Sequence, residues 1–136
     1  MIILEGDTNA PSGVVISVKN TNGSSGLVST SLPGDTISSV DGSMSAGTEN
    51  YGLCVVSSTL VGFLRAGSYN SGSCILNSDT NTIQGLTTSG ESIVTSSGSP
   101  IYGAHAEISV NAAISGVTPA HTDYADTLTF IATSTF

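Results

Sequence analysis

His121, Asp123 and Asp126 are the residues whose types could most directly do chemistry, because the chain is also rich in serine. A serine hydroxyl activated by a histidine, itself oriented by a carboxylate, is the constellation of a hydrolase. Here it selects no nucleophile. Serine and threonine make up roughly three residues in ten, and no G-x-S-x-G elbow presents one of them. Asp123 and Asp126 flank Tyr124 as paired carboxylates suited to acid–base work, but they stand just before the last strand, in a turn that water can reach. Nothing there would split their pKa values. A solvated turn is the better reading, and the chain is not expected to be an enzyme. Hydrolase is kept as the third function.

Oxygen ligands for a cation also occur. Asp35, Asp41, Glu49 and the run Asn77-Ser78-Asp79-Thr80-Asn81 are hard donors suited to calcium, yet none follows the EF-hand register. Calcium is therefore an alternative rather than an expected cofactor, and no metal site is assigned. His105 and His121 have no metal-ligand spacing to each other or to the cysteines. Cys54 and Cys74 are the only thiols. In an oxidising compartment they would pair, and closing a loop of about 20 residues contributes roughly 3 kcal/mol. Asn22-Gly23-Ser24 is a formal N-glycosylation acceptor.

Composition narrows the partners. Ten acids face one lysine and one arginine, a net charge of −8. Phosphate backbones and anionic membrane surfaces are bound through Lys and Arg, so neither nucleic acid nor such a surface is an expected partner. Charged residues are only 9% while apolar ones reach 38%. That is the opposite of a disordered composition, and 136 residues suit one domain with one core. No stretch is long and apolar enough for a transmembrane helix. Met1 to Leu4 lacks the basic flank and length of a signal peptide, so an exported chain would be numbered here from a mature or recombinant start.

The elements that must carry these residues are extended. In Ala106–Ser115 the residues Ala106, Ile108, Val110, Ala112 and Ile114 alternate with mostly polar ones. Leu128, Phe130 and Ala132 do the same in the last run. Period-two alternation marks strands with one buried face. Gly116 and Pro119 lie between the runs, so the two are expected to form a long C-terminal hairpin. Val14, Ile16 and Val18 repeat the pattern in Ser12–Lys19. The expected core is thus Val14, Ile16, Val18, Ile108, Val110, Ile114, Leu128 and Phe130. Shorter strands are expected at Met1–Leu4, Leu27–Ser31, Thr36–Val40, Tyr51–Ser57, Thr59–Arg65, Cys74–Leu76, Thr82–Thr87 and Ser92–Thr95. A single helical turn is expected near Met44–Thr48. Turn signals every 8 to 12 residues predict an all-β, antiparallel, immunoglobulin-like β-sandwich of about seven to nine strands. It forms one domain, 1–136, with a body at 11–136. Tyr124 is placed to act as a tyrosine corner. The first ten residues read as an apolar strand, Ile2, Ile3 and Leu4, on a flexible tether. Such a strand either pairs within its own sheet or adds to an open edge of a neighbour.

The pattern TNAPSGVVISVKNT … ENYGLCVV … Cys … AEISVNAAISGVTPAHTDYADTLTFIATSTF resembles short secreted all-β surface proteins of small-genome, candidate-phyla bacteria, and covers most of the chain. The ending Pro119-Ala120-x-x-x-Tyr124-x-Asp126-Thr127-Leu128-Thr129-Phe130 is similar to the closing strands of spore-coat-U-like and other fimbrial subunits, with His121 where glycine is usual. The resemblance implies an exported, surface-associated β-sandwich and carries no catalytic residues. It also implies further β sequence ahead of the TNA motif, so the body either lacks a strand or receives one from a neighbour. The expectation is an extracellular or cell-surface structural subunit of a pilus-like homopolymer. Ile2, Ile3 and Leu4 would donate the strand to an identical subunit. A surface adhesin or carbohydrate-binding module using Tyr51, Tyr69 and Tyr102 against glycans is the alternative. Aromatic residues at 5% and the lack of tryptophan weigh against it.

Overall fold

A computed structural model describes all residues, 1–136. The chain is all-β: its named strands pair antiparallel, and the only helical pieces are 3-10 turns at Gly23–Ser25, Ser57–Thr59 and Gly67–Asn70. In chain order the strands are β1 (Ile2–Thr8), β2 (Val14–Asn20), β3 (Leu27–Ser29), β4 (Thr36–Ile37), β5 (Gly42–Ser43) and β6 (Asn50–Val55). There follow β7 (Leu64–Arg65), β8 (Thr82–Ile83), β9 (Glu91–Thr95), β10 (Ile101–Ala113), β11 (Tyr124–Ala125) and β12 (Leu128–Ser134).

Two sheets enclose the main core. One has the order β1-β10-β6 and the other β12-β2-β9-β7. The first contributes Leu53, Val55, Ala104, Ala106 and Ile108, the second Val14, Ile16, Val18 and Ile93, and all are buried. Each large side chain removed from water contributes about 1.5–3 kcal/mol. The small sheets β11-β3-β4 and β5-β8 flank the pair. The β6 residues are buried on both faces, because β6 lies beneath the 74–81 loop on one side and faces the core on the other.

Several expectations are corrected. β10 and β12 do not form a hairpin: β10 lies between β1 and β6, while β12 pairs with β2 in the opposite sheet. Alternation shows that a strand has a buried face but does not name its neighbour. The connection from Ala113 to Tyr124 crosses from one sheet to the other. Leu128 and Phe130 are half-buried against the core, whereas Val110 is 39% and Ile114 61% exposed. Ile114 lies beyond the end of β10, and Val110 lies where β1 has run out. Thr59–Arg65 is not one strand. Val61 bridges to His105 of β10 and Leu64–Arg65 joins β9, so this apolar run switches between the sheets. Gly62 makes the corner at φ +69, where a side chain would press on Ala104. Cys74–Leu76 forms no strand, and Met44–Thr48 carries no helix. β1 extends to Thr8, so only Asn9–Gly13 remains as a linker.

Candidate functional site

The N-terminal strand is the feature whose geometry bears on function. β1 is an edge strand bonded to β10 alone, in the register Ile2↔Ile108, Leu4↔Ala106, Gly6↔Ala104. Ile2 and Leu4 pack on the main core, while Ile3 points outward and is half exposed. The outer face adds Glu5, whose carboxylate lies 3.4 Å from His105 Nδ1. At the far end the Gly103 N–H donates to the Asp7 carboxylate beside a register shift between Gly6 and Thr8.

The lane that β1 occupies is longer than β1. His105 exchanges both backbone hydrogen bonds with Val61, 2.9 and 2.8 Å, and the Val56 N–H donates to the Glu107 carbonyl at 2.9 Å. Odd-numbered residues of β10 therefore bond toward the β6 side. By alternation the even-numbered ones turn N–H and C=O toward β1. Ile108, Ala106 and Ala104 meet β1, but Val110 and Ala112 face a lane that no strand fills. A cleft of about 410 Å³ runs there, lined by Met1, Met44, Leu76, Val110 and Ala112 among others.

The polar residues singled out by type are mostly fastenings. Asp123 accepts hydrogen bonds from the Ser29 and Thr30 hydroxyls, 2.9 and 2.8 Å, and from the Ser31 N–H, 2.7 Å. Those donors, Thr30 first, hold its carboxyl well below the usual carboxylate range. Asp126 accepts from Asn20 Nδ2 at 2.8 Å and from the Thr127 N–H at 2.8 Å. Together the two carboxylates tie the approach to the last strand onto β2 and β3. Neither is the partner of His121, whose Nε2 lies 2.6 Å from Asp35 Oδ2 and whose ring meets Tyr124 edge-on. The serine–histidine–aspartate arrangement is thus not assembled from these residues. The Tyr124 hydroxyl donates to the Pro119 carbonyl at 2.9 Å, the contact a corner tyrosine makes with the loop before its strand. The sequence reading missed Asp35 as the histidine's partner and Ser29–Ser31 as the cradle for Asp123. Both lie about 90 residues away along the chain and leave no local signal.

The calcium donors are dispersed in the same way. Asp41 accepts from the Gly85 N–H, and Glu49 from the Ser38 N–H and the Thr118 hydroxyl. Asn81 is buried, pairing with both backbone groups of Ile75 and with Asn111. Cys54 and Cys74 form a disulfide with Cα atoms 5.8 Å apart, packed with Val56 in a small second core. It anchors the 74–81 loop over β6. Of the three tyrosines expected to meet glycans, Tyr51 and Tyr69 are buried in the main core and only Tyr102 is exposed. Tyr51 stands in β6, within the strand expected at Tyr51–Ser57. Burial first, then the neighbouring Asp126 carboxylate, pushes its hydroxyl up to about 12. The Asn22 side-chain amide donates to the Gly26 and Ala125 carbonyls, so the formal glycosylation acceptor is engaged within the fold.

No protein family, no curated protein and no solved structure matches the chain. No helix is long and apolar enough to cross a membrane.

Proposed function

We propose that the chain is an extracellular structural subunit of a cell-surface, pilus-like homopolymer, joined to its neighbours by exchange of β1. The observation that carries this reading is the isolation of β1 at the edge of its sheet. Its ladder is made with one strand, and only Ile2 and Leu4 reach the core. The link to the body is the five residues from Asn9 to Gly13. Every contact that β1 makes with β10 in its own chain can be made by the β1 of a second chain. Opening the Asn9–Gly13 turn then lets a strand leave one body and enter the next. Exchange in a head-to-tail sense does not close on itself, and so it grows a filament.

Two further features support the reading. The lane along β10 continues past Met1 beside Val110 and Ala112, so part of this edge stays open for added strand pairing. The disulfide suits an oxidising compartment such as the cell exterior. In this scheme the chain has no catalytic role and takes no nucleic acid. The glycan-binding alternative loses two of its three tyrosines to the core. Removal of residues 1–10 tests the proposal: negative-stain micrographs of the shortened chain are expected to show no filaments. Filaments persisting unchanged would rule out donation from this end.

A further inference from the structure

The second open edge belongs to β12, in the sheet opposite β1. The Thr21 N–H donates to the Thr127 carbonyl at 3.1 Å, the Ser12 N–H to the Thr135 carbonyl at 3.2 Å, and the Thr135 N–H to the Gly13 carbonyl at 3.1 Å. Odd-numbered residues of this strand therefore bond inward, onto β2 and its approach. Leu128, Phe130, Ala132 and Ser134 turn their N–H and C=O groups outward, where β12 has no neighbour. The run from Thr127 to Phe136 contains no charged side chain, proline or glycine. Natural edges are usually blunted by charge or irregularity. The outer edge of β1 is blunted in that way, by Glu5, Asp7 and its register shift. The β12 edge is left flat, and seven residues of it are regular strand.

We infer that this edge pairs with the same edge of a second copy, antiparallel about a two-fold axis at Ile131. For a chain of net charge −8, self-contact is least opposed where carboxylates are absent, and this strand is such a place. Its own register is self-complementary. With Ile131 opposite Ile131 of the second copy, Phe130 faces Ala132 and Leu128 faces Ser134. All four outward-turned residues then find hydrogen-bonding partners, and large inner side chains stand opposite small ones. On the outer face Ile131, 45% exposed, meets its counterpart at a close, non-hydrogen-bonded position, and Thr129 meets Thr133. Shifting the register by two residues leaves an outward-turned residue unpaired at each end. The result joins two four-stranded sheets into one of eight strands. It does not involve β1 or β10, so it is a second contact, separate from strand exchange.

Single cysteines test both the contact and its register. Residues paired at non-hydrogen-bonded positions have Cα atoms about 4.5 Å apart, within reach of a disulfide. Mild oxidation of the Ile131→Cys chain is expected to give a covalent dimer on a non-reducing gel. Thr129→Cys alone should give little, because its copy lies four residues further along, about 14 Å away. Mixing Thr129→Cys with Thr133→Cys chains should restore the cross-link. Ile131→Lys, a change at a solvent-exposed site, is expected to abolish the cross-link between Thr129→Cys and Thr133→Cys chains while filaments built by β1 exchange persist. Equal cross-linking through positions 129 and 131 would overturn the inference, as would none through 131. So would wild-type chains that leave this edge unpaired with one another yet take up an added extended peptide there. A cross-link through 131 that survives deletion of residues 1–10, while filaments vanish, would separate this contact from the exchange of β1.

Discussion

Asp123 shows how a residue chosen for its chemistry can serve the architecture instead. Its carboxylate is consumed by three donors from Ser29, Thr30 and Ser31, and they hold it ionised. The folded value lies below the ordinary 3.8, so the unfolded chain takes up a proton first as the solution is acidified. The stability from this cradle is complete at neutral pH. It fades as pH falls below about 4 and through the depressed folded value. Asp123→Asn is therefore expected to lower the melting temperature at pH 7 and to flatten the acid limb of a stability–pH curve. A variant whose curve runs parallel to wild type down to pH 2 would show that the cradle contributes nothing. The same scale exposes a limit of sequence reading. The dyad of His121 with Asp35 joins residues 86 positions apart, and only the fold brings them together.

At the scale of elements, the alternating pattern was a sound guide to strands and a poor one to their partners. Val14, Ile16, Val18 and Ile108 are buried as their spacing implied. The pattern of Ala106–Ser115, however, runs on past the point where anything covers it. Sequence periodicity does not register where a neighbouring strand ends, so Val110 and Ile114 read as core and are exposed. The hairpin failed for a related reason: two half-buried strands close in sequence can face each other across the core in different sheets. Truncation makes the difference measurable. Ile108→Ala, at a fully buried position, is expected to cost about 2–5 kcal/mol in denaturant unfolding, whereas Ile114→Ala should stay within about 0.5 kcal/mol of wild type. Equal losses at both sites would mean that Ile114 is covered in solution.

For the whole molecule, alternation and the spacing of turn signals predicted the all-β chain that is found, and the disulfide between Cys54 and Cys74 is formed. The proposed function was less legible, because it rests on which edges are left open, and that depends on strand order rather than residue type. The first strand could be placed in its own sheet or a neighbour's from sequence alone, and a single chain contains the same ladder in either case. Cysteines at the paired outer positions Ile3 and Glu107 distinguish the two directly. Ile3→Cys combined with Glu107→Cys links β1 to whichever β10 it lies against. Oxidised filaments are expected to resolve on a non-reducing denaturing gel as a ladder of covalent multimers, each rung one chain larger. Filaments that yield only single, internally linked chains would contradict strand exchange as the basis of assembly.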